Sequence, residues 1–248
     1  MLAIIGGTGL TQLANLEITH RQVIRTPYGE PSGALTFGTI NQHEVMFIAR
    51  HGYGYTIPPH KVNYRANLWA LHDQGARRVV AVTSVGGIRA GLDPGVITVP
   101  DQIIDYTYCR DFTYFDGGDR TVKNIDFTFP YCPQLRAAIL AAAQRAGEAC
   151  VDGCVYAAMQ GPRLETAAEV NRLERDGADI VGMTGMPEAA LAKELGLNYA
   201  AIAVVVNHAA GRGGSSDGVQ LSMLAARMPS VMARVRNILS YLVEGDSD

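Results

Sequence analysis

An alternation constrains this chain most: short apolar runs of strand length, each closed by glycine or a polar cluster, take turns with segments of helical periodicity. The second half shows it best. Residues 133–146 read as a helix, with Pro133 in its first turn and Gly147 just past its end. A strand over 151–159, a helix over 165–176 and a strand over 178–181 follow. Next come a helix over 187–195 stopped at Gly196, and the most strand-like segment of all, 199–206. A closing helix over 219–243 contains Pro229, which should kink it or split it in two. In the first half, 2–5, 45–49 and 77–84 read as strands, with 95–101 and 103–106 as further candidates. Helical spacing appears over 62–75. The expected class is therefore α/β, a mixed, largely parallel twisted sheet flanked by helices. With no repeat, low-complexity stretch or linker, one domain over 1–245 is the simplest organisation.

Composition removes several function classes. Hydrophobic residues make up 48% and charged residues 18%, enough for a sizeable core. A net charge of -3 with no basic block argues against nucleic acid as a partner. Apolar stretches such as 199–206 are too short to span a bilayer, and the start MLAIIGG has no basic region before an apolar run. No membrane association and a cytoplasmic location are the expectation. The four cysteines, Cys109, Cys132, Cys150 and Cys154, lack metal-ligand spacing and are expected as free thiols.

In open parallel sheets, ligands bind beyond the carboxyl ends of the strands. Those ends hold Gly6-Gly7-Thr8-Gly9-Leu10, Arg50-His51-Gly52, Thr83-Ser84, Met183-Thr184 and Asn207-His208. The glycine turn can cradle an anion on its backbone N–H groups, or it is an ordinary strand-to-loop turn. It does not complete a dinucleotide fingerprint, because position 12 is Gln. Arg50 and His51 can both donate to one phosphate, the Arg as a fork; the alternative is a surface Arg beside a structural His. The hydroxyls of Thr83, Ser84 and Thr184 complete the outline of an anion pocket without a metal.

Several ordered motifs resemble those of the methylthioadenosine phosphorylases, within the trimeric purine nucleoside phosphorylase family. They are Ile4–Leu10, Ala49–Gly52, Lys61–Asn67 with Trp69-Ala70, Gln160–Arg163, Gly177–Asp179 and Met183–Glu188. The likeness runs from residue 2 to about 243. It implies a phosphorylase with inorganic phosphate as co-substrate and no cofactor. Thr8, Arg50, His51, Thr83, Ser84 and Thr184 match the family's phosphate residues, and Met183 matches the residue against the ribose. It also implies a homotrimer in which each site borrows a side chain from its neighbour, here expected from residues 126–131.

Two positions depart from the methylthioadenosine pattern. Where that family has an Asp-x-Asp pair this chain has Asn207-His208-Ala209, and Leu164-Glu165 follows the Gly-Pro motif. A Glu and an Asn there resemble the 6-oxopurine nucleoside phosphorylases. Hypoxanthine offers a carbonyl at C6 and an N–H at N1, so Asn207 can donate to O6 while Glu165 accepts from N1–H. Adenine in the same site would leave both groups mismatched, at about 1–3 kcal/mol for each. Leu164 is expected beside the base, with Asn207, Glu165, Arg50 and His51 carrying catalysis. At the 5′ end the oxopurine enzymes place a His near the start of the closing helix, whereas this chain has Val219, Leu221, Met223 and Leu224. Leu221 and Leu224 are expected to form an apolar wall for a methylthio group. The combined expectation is phosphorolysis of S-methyl-5′-thioinosine. A general inosine/guanosine phosphorylase and a methylthioadenosine phosphorylase stay open, as do a non-catalytic nucleoside-binding protein and an NAD-dependent oxidoreductase.

Overall fold

The computed structural model describes residues 1–10, 12–118 and 121–245, with backbone alone for 221–225 and 227. Strand β1 (Leu2–Gly6) is followed by β2 (Glu17–Gln22), β3 (Leu35–Ile40) and β4 (His43–Ala49). Helix α1 (Tyr64–Asp73) leads to β5 (Arg78–Gly87), β6 (Ile97–Val99) and β7 (Gln102–Asp105). Then come α2 (Pro133–Arg145), β8 (Val151–Asp152), β9 (Val155–Ala158) and α3 (Ala167–Arg175). The chain closes with β10 (Ile180–Gly182), α4 (Glu188–Glu194), β11 (Asn198–His208) and α5 (Leu221–Glu244).

One mixed sheet joins all the strands, in the order β2-β3-β4-β1-β5-β10-β9-β7, with β11 also on β5 and carrying β6 and β8. The central pairings of β1 with β4 and β5, and of β5 with β11, are parallel. The β2–β3–β4 meander and the β5–β10 and β6–β11 pairs are antiparallel. Side-chain alternation divides the core. Leu2, Ile4, Phe47, Val80 and Ile202 face α2 and α5, while Ala3, Ile5, Met46, Val79 and Ala201 face α1 and α4. Strands covered on both faces are apolar throughout, which is why they read as continuous runs.

Strand β5 creates the opening for a site. Its residues Arg78–Ala81 pair with Leu2–Ile5, and its far end, Gly86 and Gly87, pairs with β10. Between those stretches the same edge carries no strand among the described residues. The sheet parts there, at the carboxyl ends of β1 and β4.

Differences from the expected elements have local causes. Strand β2, EITHRQ, is exposed along its whole length and carries no apolar pattern; backbone pairing to β3 defines it. Strand β3 has a weak signature too, because its apolar pattern lapses at Gly38, where a Cβ would strike the Glu17 carbonyl. The expected 151–159 strand is broken into β8 and β9 by Gly153 at φ +79. Helix α5 runs through Pro229 as one element. Helix α3 starts two residues late, because Thr166 caps it and forms a capping box with Glu169. Glu165 is thereby left outside the helix.

Tyr156 on β9 stands against Gly182 and Gly185, where any Cβ would collide with its ring. Gly185→Ala is therefore expected to destabilise the protein by about 1–3 kcal/mol through overpacking. Denaturant titration reads this directly, and an unchanged midpoint would contradict it.

Candidate active site

A cavity of about 570 Å³ opens where β5 loses its neighbour. Gly7 and Thr8 line it after β1, Arg50 and His51 after β4, and Thr83 to Gly86 along β5 itself. Leu164 and Glu165 form another wall, Met183 and Thr184 follow β10, and Asn207 ends β11. Ten sequence-expected residues thus meet in one pocket. The side chains of Leu221 and Leu224 lie outside the described residues.

Arg50 is 1% exposed and cannot keep its charge there alone. Its Nε donates to Glu188 Oε2 at 2.7 Å and its Nη2 to Oε1 at 2.8 Å. Burial works against its charge, but Glu188 outweighs it and holds the guanidinium above the ordinary arginine range. Tyr199 also donates to Glu188, at 2.8 Å. The third Arg50 bond, from Nη1, reaches Val82 O at 3.1 Å, on the stretch of β5 that β1 has left. The fork expected for an anion is therefore spent on Glu188. Two of five N–H groups remain for the pocket. Gly7 permits the approach, since a Cβ there would sit 2.5 Å from Val82 O and 3.0 Å from Arg50 Nη1.

His51 also differs from a simple donor. Its Nδ1 lies 2.8 Å from the Ile57 carbonyl, which only accepts, so Nδ1 carries the proton. Burial, and then the Arg50 charge, lower its pKa to about 4. At neutral pH the ring is uncharged, and Nε2 is an acceptor. Hydroxyls surround the same end: Thr83 and Thr184 Oγ1 are 3.1 Å apart, and Thr8 Oγ1 is 2.8 Å from Tyr55 Oη. Ser84 donates to the Thr8 carbonyl at 3.3 Å. The Tyr156 hydroxyl accepts from the backbone N–H of Thr184 and Gly185, at 3.2 and 3.3 Å, fixing the Thr184 turn.

At the opposite end a β-bulge between Val205 and Asn207 sets Asn207. Its Nδ2 donates to His208 O at 2.6 Å. Because that carbonyl only accepts, the orientation of the amide is fixed, leaving one N–H and Oδ1 unused. His208 is itself held: Gly214 N–H donates to Nδ1 at 3.2 Å, so Nε2 donates to Asp93 at 2.9 Å. Glu165 lies just before the cap of α3. Its neighbour Arg163 forks onto Glu169, at 2.8 Å for both bonds. Burial raises the Glu165 carboxyl above its usual range, with the Glu169 charge adding to the effect.

Sequence reasoning missed Glu188, Arg110, Tyr156 and the Tyr55–Pro59 segment, which also lines the cavity. Only Glu188 stood in a noted motif. Among the described residues no group of His, Cys, Asp and Glu could hold a metal, and no helix is long and apolar enough to cross a membrane.

The family model described as the phosphorylase superfamily matches residues 1–244. A relative from Pseudomonas syringae, named a probable S-methyl-5′-thioinosine phosphorylase, is 50% identical over 241 residues, covering 97% of either chain. The 6-oxopurine nucleoside phosphorylase of Pyrococcus furiosus is 44% identical, covering 86% of this chain and 81% of its own. Among solved structures, methylthioadenosine phosphorylase from Schistosoma mansoni with adenine superimposes at a TM-score of 0.94 and 30% identity, covering 100% of this chain and 92% of that one.

Two measurements probe this arrangement. Glu188→Ala leaves the Arg50 charge buried without a partner, an expected loss of about 3–5 kcal/mol on chemical unfolding. A loss below 1 kcal/mol would show that the pair is dispensable. For His51, the unfolded ring takes a proton near pH 6.5 and the folded ring only near 4. Stability should therefore fall as pH drops through that window, by at most about 3 kcal/mol. His51→Gln should flatten the decline, and an identical pH profile would refute the neutral ring.

Proposed function

With the chain belonging to the phosphorylase superfamily, we propose that it cleaves S-methyl-5′-thioinosine with phosphate, giving hypoxanthine and 5-methylthioribose 1-phosphate. The observation that carries this reading is the fixed amide of Asn207 in the same pocket as Glu165. One Asn207 N–H serves His208 O; the other serves the purine O6, and Oδ1 accepts from a protonated N7. Glu165, with Arg163 engaged elsewhere, accepts from N1–H. Every donor then meets an acceptor. Adenine would set its amino group against the remaining Asn207 N–H. The names carried by the Pseudomonas syringae and Pyrococcus furiosus relatives support the same base class.

Phosphate belongs at the other end of the cavity. The two free Arg50 N–H groups donate to it, and the hydroxyls of Thr8, Thr83, Ser84 and Thr184 rotate from the partners named above to donate as well, while Met183 lies against the ribose. His51 plays a different part from the one expected. Its bare Nε2 accepts the single P–O–H of hydrogen phosphate, which orients the remaining oxygens. A phosphate oxygen attacks C1′ as the C1′–N9 bond breaks. The bond electrons pass to the purine, which leaves as N7 takes a proton from solvent, and the hydrogen phosphate releases its own proton to solvent as the sugar ester forms. Anionic oxygens beside the sugar and Asn207 beside the leaving group stabilise the charges that develop in this oxocarbenium-like transition state.

Support for the methylthio group comes from the apolar side chains of Ile57, Pro58, Pro59 and Val219 around the cavity, surfaces that serve a hydroxyl poorly. The assembly follows the family resemblance: a homotrimer, each site completed by the neighbour's 126–131 segment, where Phe129 is 65% exposed. Residues 1–245 act as one nucleoside phosphorylase domain.

Initial rates of phosphate-dependent cleavage test the assignment. Methylthioinosine should be the best substrate, ahead of inosine and methylthioadenosine; inosine in first place would make the enzyme a general oxopurine phosphorylase. Asn207→Asp brings a second oxygen against the His208 carbonyl. It should cut the methylthioinosine rate by roughly ten- to a hundred-fold, shifting relative preference toward methylthioadenosine. An unchanged ratio would sink the base-recognition assignment.

A further inference from the structure

Arg110 lies in the segment after β7 and is 8% exposed, yet among the described residues none of its acceptors is anionic. On one side its Nη2 donates to Gln160 O at 2.8 Å and Met159 O at 3.3 Å, and its Nε to Gln160 Oε1 at 3.1 Å. On the other its Nη1 donates to Met186 O at 2.6 Å and Met183 O at 2.9 Å, with Tyr64 Oη at 3.3 Å. The first group of acceptors follows β9 and the two carbonyls of the second follow β10, with Tyr64 at the start of α1; β9 and β10 are neighbouring parallel strands whose ladder ends at Ala158 and Gly182. Beyond that ladder the Tyr156 hydroxyl ties β9 itself to the Thr184 and Gly185 amides, but among the described residues no hydrogen bond joins the two loops directly. They still have to fit closely, since a Cβ on Gly161 would sit 2.5 Å from Met183 Sδ.

We propose that Arg110 is a positioning residue for nucleoside recognition: its planar fork fixes the loop presenting Glu165 relative to the loop presenting Met183. The proposal rests on the functional reading above, in which Glu165 meets the purine and Met183 the ribose. A buried cation solvated only by carbonyl and hydroxyl dipoles tolerates few other arrangements, because each lost bond leaves a polar group unsatisfied. Lysine cannot replace it, having three donors on one nitrogen and no fork to span two loops. The phosphate end is held separately, by Tyr156 on the Thr184 and Gly185 amides and by the Arg50–Glu188 pair.

Arg110→Gln and the milder Arg110→Lys test this with two readouts. Amide hydrogen exchange should speed up over 159–165 and at Met183 and Met186, stay slow at Thr184 and Gly185, which Tyr156 holds, and stay unchanged in α2 and β1. In kinetics, the KM for methylthioinosine should rise about ten-fold or more while that for phosphate moves less than about two-fold. A parallel rise in both constants, or unaltered exchange in the two segments, would overturn the proposal. Should Arg110→Gln not fold, Arg110→Lys carries both measurements. A wild-type protein that cleaves no nucleoside would instead defeat the functional reading, and the exchange comparison would still decide whether Arg110 couples the loops.

Discussion

The buried Arg50–Glu188 pair occupies the place where the sheet comes apart, and the rest of the site is arranged around it. Strand β1 leaves β5 after Ala81, and β10 reaches it only at Gly86. A backbone carbonyl exposed in that gap would be costly to bury unpaired. Arg50 bonds the Val82 carbonyl, and Glu188, joined by Tyr199, neutralises the charge this brings into the core. One interaction therefore closes a defect in the sheet and leaves two N–H groups directed from a rigid base. An arginine pinned on three sides loses little entropy when an anion arrives, which is what pre-organisation requires.

The two ends of the cavity follow a common design: each polar side chain spends part of its bonding capacity on the protein. Asn207 gives one N–H to His208, and His51 gives its only N–H to Ile57. What remains is a set of donors and acceptors with fixed directions. For His51 this reverses the naive expectation, because a neutral ring tied at Nδ1 offers a lone pair and no charge. For Asn207 it removes the ambiguity of the amide, and with it the freedom to suit a base bearing an amino group at C6.

Arg50 and Arg110 solve the same electrostatic problem in different ways. Arg50 relies on one carboxylate, and the pair can face an open pocket because its net charge is near zero. Arg110 relies on carbonyl dipoles gathered from the ends of β9 and β10 and on the Tyr64 hydroxyl of α1. Carbonyls at the end of a ladder need donors in any case. The guanidinium supplies them, and so joins two loops that the sheet no longer connects.

Much of this was legible in the sequence. Central strands buried on both faces have to be apolar throughout, and helices have to show their period, so the α/β class and the helices were readable. Strand-end residues from Thr8 to Asn207 could be collected by one topological rule, and those assigned to the site do share a pocket, whereas His208 turns to Asp93. Strands β2 and β3 were not legible: one is polar and exposed, and the apolar pattern of the other lapses at Gly38, so neither has a strong local signature. Glu188, Tyr156 and Arg110 were unreadable as site-building residues for a related reason, since their partners lie 138, 28 and up to 76 positions away. The sequence by itself determined which chemical groups were available and near which strand ends. Only the tertiary structure decided which bonds those groups had already made, and hence whether a histidine donates or accepts, because that depends on contacts across the fold that no local pattern encodes.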